Sequence, residues 1–218
     1  MKKLAYKLPG LLMTLVIIFS AFSVSIAQKA KSIKGNTTLE LAGYSVVSPS
    51  GDDWKYFITP DRNTVQFMYE SSNFLNGKEN STFVVVFKDS LLSEIDKSER
   101  EYADEFLKEN LNGFKSQEHM NVKRSKNFDT TIAGRNFYAM SSSADDLGIV
   151  IPCTYADNLF FIHFPDDFKT TKTFYQFVIT GYYNLPLGKK KSNESDLKPV
   201  FSIMRSFRTE KKALPDKK

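Results

Sequence analysis

The sequence predicts an α+β domain in which an antiparallel β-sheet is flanked by helices, an α/β/α sandwich. Three observations predict it. Thr82 to Phe87 is a nearly continuous apolar run, the pattern of a central strand covered on both faces. Tyr102, Phe106, Leu107, Leu111 and Phe114 recur at spacings of three and four, which places one apolar stripe of a helix against that sheet. From Val122 to Tyr183 aromatic and β-branched runs return, separated by turn residues, as in a strand meander.

Residues 1–27 read as a signal peptide. Lys2, Lys3 and Lys7 precede an apolar stretch from Leu11 to Phe19, and Ser25-Ile26-Ala27 supplies the small residues that a signal peptidase reads. An uncleaved anchor is the rival reading, since Leu8 to Ala27 carries no charge. Pro9, Gly10 and three serines weaken it as a permanent helix, and the lysines at 29, 31 and 34 disfavour it on the translocated side. The expectation is therefore an exported chain, periplasmic or secreted, with no membrane span after cleavage.

Residues 28–38 are polar and read as a flexible lead-in, with one domain over 39–208 and a disordered tail over 209–218. Leu39 to Val47 alternates loosely as a strand. Trp54 to Ile58 and Val65 to Tyr69 follow as strands around the turn Pro60-Asp61-Arg62-Asn63. Ser71 to Ser81 reads as a polar loop. Ser98 with Glu101 forms a capping-box signature, and Gly113 sits where a C-terminal cap is expected. Asn127 to Ile132 and Arg135 to Ser141 flank Ala133-Gly134, a tight hairpin turn. Gly148 to Tyr155, Asn158 to Phe164 and Thr173 to Tyr183 are the next strands. A loop over 184–194 leads to a second helix with Leu197, Val200, Phe201 and Met204 as its stripe.

The formal charge of +5 overstates the domain. The signal segment takes three lysines with it, and Lys189 to Lys191 and the tail hold most of the remaining excess, so the body between is slightly acidic. A nucleic-acid binder wants a broad basic face, and nucleic acid is not expected as a partner. Cys153 is the one cysteine, which excludes an internal disulfide and leaves stability to packing.

Gly43-Tyr44-Ser45-Val46-Val47-Ser48-Pro49 with Trp54, Ile132-Ala133-Gly134-Arg135-Asn136-Phe137-Tyr138, and Phe201 with Ser206-Phe207-Arg208 stand in an order that resembles the PsbP/Mog1-like group of α/β/α sandwich proteins. In that group the last of these segments follows a closing helix and tucks the chain end under the sheet. The resemblance covers roughly Leu39 to Arg208. It implies a small accessory or docking protein that is not an enzyme, and it carries no binding residue over to a matching position here. The first expectation is accordingly an exported docking protein with an envelope protein as partner.

Reaction chemistry is sparse. Histidine occurs only at 119 and 163, fewer than a zinc site of ordinary type wants, and no cofactor or metal is expected. His163, near Asp166 and Asp167, reads as a strand histidine satisfied locally, with a general base as the sharper alternative. The Asp pairs at 52–53, 145–146 and 166–167 adjoin turns, and Ser141-Ser142-Ser143 lacks a nucleophile elbow. Leu159 to Phe164 is apolar on both strand faces, and with Phe174, Tyr175 and Phe177 it reads first as core covered by helices on both sides, with a groove or pocket as the alternative. Phe161, His163, Tyr175, Tyr182 and Tyr183 are the candidates for a ligand or partner surface. The second functional expectation is a carrier or sensor holding a small apolar ligand in an aromatic-lined pocket there.

Overall fold

The computed structural model describes residues 30–51, 54–70, 81–115, 121–145, 155–183 and 198–209. The segment expected as a signal peptide, residues 71–80, most of the strand expected over Gly148 to Tyr155 with Cys153, His119, Asp52 with Asp53, residues 184–197 with Lys189 to Lys191, and residues 210–218 lie outside them. The strands are β1 (Lys31–Ser32), β2 (Thr38–Glu40), β3 (Tyr44–Val47), β4 (Trp54–Ile58), β5 (Thr64–Glu70), β6 (Ser81–Ser90), β7 (Asn121–Ile132), β8 (Arg135–Asp145), β9 (Tyr155–His163), β10 (Thr173–Tyr183) and β11 (Arg208–Thr209). The helices are α1 (Glu99–Lys115), α2 (Phe168–Thr171) and α3 (Lys198–Ser206).

Eight strands form one antiparallel sheet in the order β1-β4-β5-β6-β10-β9-β8-β7. The continuous apolar run is central, as its pattern predicts. β6 pairs with β5 on one side and β10 on the other. Its Val84 and Val86 join one core and its Val85 and Phe87 the opposite one. β10 enters between β6 and β9, so the last long strand of the sequence lies in the middle of the sheet.

α1 covers one face. Its start is fixed by the capping box: the Ser98 N–H donates to Glu101 Oε2 at 2.9 Å, and the Glu101 N–H returns to Ser98 Oγ at 3.3 Å. Tyr102, Ala103 and Leu107 are buried against Phe160, Ile162, Phe174 and Val178 of the sheet, while Asp104, Glu105, Lys108 and Glu109 face outward. The Arg100 guanidinium grips both carboxylate oxygens of Asp129 on β7, at 2.5 and 2.6 Å, and lies over the Tyr138 ring.

The opposite face is where the sandwich expectation needs correction. A helix lies on each side of the sheet, but on this one the helix does not cover it alone. α3 shares that face with a second, three-stranded sheet in the order β11-β3-β2. The cause is local. Leu39 to Val47, expected as one strand, breaks into the hairpin β2–β3, closed by the Leu41 N–H donating to the Tyr44 carbonyl at 2.8 Å. Gly43 takes φ +83°, and a β-carbon there would sit 3.1 Å from Lys88 Nζ. Lys88 Nζ in turn donates to the Ala42 carbonyl.

The lead-in is also partly tied down. Lys31 and Ser32 pair with β4, and Ile33 is buried in the same core as Trp54. The hairpin at Ala133-Gly134 forms as read, with φ 51° and 78° at its two turn residues and Ile132 opposite Arg135.

One aromatic cluster joins the two sheets. Phe207, fully buried just after α3, packs its ring on Tyr44, Tyr175 and Phe177 at centroid distances of 6.0, 4.9 and 5.2 Å. The Tyr44 hydroxyl donates to the Asn63 carbonyl at 2.9 Å, with the Val86 carbonyl at 3.2 Å sharing the proton. Burial and the nearby Tyr175 raise the Tyr44 phenol far above its ordinary pKa.

Phe207→Ala should remove the central knob of this interface and cost about 3–5 kcal/mol of unfolding free energy. Tyr44→Phe keeps the ring and removes the hydroxyl's bonds to carbonyls that have other donors, the Lys88 amide at Asn63 among them, and should cost about 1 kcal/mol. Urea denaturation of both variants checks the order.

Candidate functional site

Three of the sequence-predicted surface residues meet in space. Phe161, His163 and Tyr175 project from β9 and β10 toward the same face, with His163 and Tyr175 directly opposite each other. They are 2%, 9% and 4% exposed, so they form core and not an open surface. Phe207 and Tyr44 fill the space above them, where an aromatic-lined pocket was expected. Tyr182 and Tyr183 end β10, and their side chains lie outside the described residues.

His163 is built for packing. Its ring lies tilted on Phe137 and edge-on to Phe207, with centroids at 5.2 and 5.9 Å. Its Nδ1 is 2.9 Å from the Asn136 carbonyl. A carbonyl only accepts, so Nδ1 carries a hydrogen, and the neutral form of the ring is the Nδ1–H tautomer. Burial lowers its pKa below the usual histidine value, and the nearby Arg135 charge lowers it further. The Asn136 bond and Asp166 oppose the shift in part.

Asp166 and Asp167 are exposed and lead into α2, where the Asp167 carbonyl accepts from the Thr170 and Thr171 amides. Ser142 and Ser143 are buried within β8, and no elbow surrounds them. Among the described residues, no three His, Cys, Asp or Glu side chains are grouped to hold a metal ion. Among them, too, no helix is long and apolar enough to cross a membrane.

What the sheet presents outward is its rim. Among the described residues β7 pairs only with β8. The other rims are short: β1 and β11 have two residues each and β2 has three, against twelve in β7. The first half of β7 carries a register shift between Val122 and Arg124 and the exposed Lys126, devices that discourage indiscriminate strand pairing. The second half, Asn127 to Ile132, has neither. Phe128 anchors it by packing edge-on to Phe161, and Arg100 pins Asp129. Sequence reading located this strand but could not mark it as a rim, because strand order is not written in periodicity.

Arg135 is a second residue to which sequence reading gave no role. Its guanidinium lies 5.8 Å from the Phe207 ring centre. Burial and the adjacent Arg208 charge both disfavour its charged form.

No family profile and no curated protein matches the chain. Solved structures do. One is the solution structure of cyanobacterial PsbP from Synechocystis, at 11% identity and TM-score 0.46, covering 81% of this chain and 94% of that one. Another is the Ran-binding protein Mog1p of Saccharomyces cerevisiae, at 14% identity and TM-score 0.44, covering 81% and 96%. A third is the T6SS immunity protein TplEi of Pseudomonas aeruginosa, at 12% identity and TM-score 0.34, covering 87% and 58%. The first two bear the names of the group that the quoted sequence segments resemble, a likeness of fold alone. None of the three carries an argument about what this chain binds.

The neutral His163 gives a pH prediction. Above the ordinary value of 6.5 the ring is neutral in both folded and unfolded chains. Below it the unfolded chain takes up a proton that the folded one resists, so stability falls as pH drops from 6.5 toward the lowered folded value. His163→Gln, which does not titrate, should flatten that part of the stability profile measured by urea midpoints between pH 7.5 and 4.5.

Proposed function

We propose that this chain is an exported, non-enzymatic docking module that binds another envelope protein by adding an extended segment of that protein to the open rim of β7. The observation that carries the reading is the contrast between the rims: one long strand, guarded over half its length and left unguarded over Asn127 to Ile132, beside rims of two or three residues. Strand addition supplies affinity through main-chain hydrogen bonds and specificity through alternate side chains. The two-residue turn at Ala133-Gly134 sets the phase. Ile132 and Thr130 turn their backbone groups toward β8, and Thr131 and Asp129 turn theirs to the rim.

Export rests on the sequence of residues 1–27 alone. The non-enzymatic reading is supported by how His163 is used, with its Nδ1 bound to a carbonyl and its ring enclosed by Phe137 and Phe207. The core filling around Phe161 and Tyr175 favours docking over an apolar-ligand carrier at that face.

A photo-crosslinking residue at Thr131 should capture one defined envelope protein in the producing cell, and the same residue at Lys108, on the outward face of α1, should not. Thr131→Pro removes an amide that faces the rim and not the β8 ladder, so proline is tolerated there. It should abolish capture from a crosslinker at Asp129 while lowering unfolding free energy by at most about 1 kcal/mol, since the exposed bond from Thr131 Oγ1 to Asn136 Oδ1 is lost with it. Equal capture from Thr131 and Lys108, or capture that survives Thr131→Pro, would sink the proposal.

A further inference from the structure

Two arginines from remote segments meet at Phe207, a pairing that docking does not use. Arg135 opens β8 at the hairpin, opposite Ile132, and its guanidinium carbon lies 5.8 Å from the centre of the Phe207 ring. Arg208 opens β11, opposite Ser45. Its Nη1 donates to the Phe207 carbonyl at 2.8 Å and to the Arg205 carbonyl at 3.1 Å. Among the described residues no carboxylate forms an ion pair with either arginine. Asp166, whose charge reaches the neighbouring His163, forms none with them either.

The pair is held together against its own charge. The Arg208 charge disfavours that of Arg135, and no acid between them offsets the repulsion. Other forces fix the two positions: the Phe207 ring beside one guanidinium, and two backbone carbonyls at the other. Arg135 Nη1 is buried without a hydrogen-bond partner, so this guanidinium is not seated to satisfy its own donors. The rest of the pair is open. Arg135 is only partly covered and Arg208 is exposed, and the Nε and Nη2 groups of both keep contact with solvent. A ligand has room there, at the surface. Charge counting selects its class. A phosphate monoester carries about two negative charges at neutral pH and can balance both guanidiniums, whereas a carboxylate balances one. The planar guanidinium fork also matches a pair of phosphate oxygens.

We propose that Arg135 and Arg208 form a surface binding site for a terminal phosphate group, borne by a soluble molecule or by a lipid headgroup. The site uses neither the amides nor the side chains of the β7 rim, and it does not depend on the docking proposal. His163 supplies an internal reporter. Its ring packs on Phe207, and the Arg135 charge lowers its pKa, against the opposing effects of Asp166 and the Asn136 carbonyl. Phosphate on Arg135 offsets that charge and raises the His163 pKa, which a purely structural role for Arg135 would not do.

The probes are inorganic phosphate and acetate, titrated into the full chain at matched ionic strength and followed by NMR at the arginine Nε–H and His163 imidazole signals. Phosphate should shift the Arg135 and Arg208 signals saturably and raise the His163 pKa. Acetate should bind at least about tenfold more weakly. Arg208→Gln keeps a side-chain N–H for the Arg205 and Phe207 carbonyls, and it should weaken phosphate binding about tenfold. Arg135→Gln should do the same, and either variant carries the test if the other fails to fold. Sedimentation of the chain with vesicles containing phosphatidic acid, lost in Arg208→Gln, would assign the phosphate to a lipid. Phosphate binding without sedimentation would assign it to a soluble molecule, and both results uphold the site. No saturable response to phosphate, an equal response to acetate, or binding unchanged in both variants would overturn it.

Discussion

The seat of Phe207 is the constraint on which this architecture depends. The residue lies immediately after α3, and its ring contacts Tyr44 from the small sheet and Tyr175, Phe177 and His163 from the large one. A single side chain therefore joins three elements that are remote in sequence. Its placement is reinforced by polar contacts that leave little freedom: the Phe207 amide closes on the Ile203 carbonyl, and the Val47 amide donates to Ser206 Oγ. The small sheet, α3 and the hairpin end of β8 are held to the large sheet through this point.

Covering both faces of the large sheet has a functional consequence. A sheet with one bare face can offer that face to a ligand, whereas a sheet enclosed by α1 on one side and by α3 with the small sheet on the other has only its rims left. The rims are unequal. Those of two or three residues are too short to template a partner strand, and the long rim of β7 is guarded by a register shift and the exposed Lys126 over its first half. The unguarded half is held in place from within by Phe128 and from α1 by Arg100, so a segment meeting it would find a preformed edge.

The two faces also differ in how they treat polar groups. On the α3 side, the polar atoms of Tyr44, Tyr175 and His163 each reach a backbone carbonyl. That satisfaction explains why the aromatics there pack as solid core despite their hydroxyls and imidazole. On the α1 side, Asn110 and Gln176 face each other at 3.5 Å, while Thr180, four residues further along β10, forms with Ser142 and Asn158 a cross-strand row that has no such partner. Of the five unpartnered buried polar atoms among the described residues, Arg135 Nη1 lies on the α3 side and the other four lie together on the α1 side.

Much of the local structure was legible in the sequence, because it is set by interactions between near neighbours. The capping box at Ser98 and Glu101, the turn at Ala133-Gly134, the amphipathic stripe of α1 and the two-faced apolar run of β6 each follow from side-chain periodicity or from a residue's own backbone preferences. The sites were not legible in this way. The aromatic pattern of Phe161 and Tyr175 fits core and leaves a pocket as the alternative, and the arrival of Phe207 and Tyr44 from distant segments decides for core. Arg135 and Arg208 are single basic residues in remote segments, and β7 is one strand among eleven. The seating of Phe207 brings the first two together, and strand order makes the last a rim. Those depend on which chain segments pair across the sheet, a choice made by the packing of the whole domain and not by any local pattern.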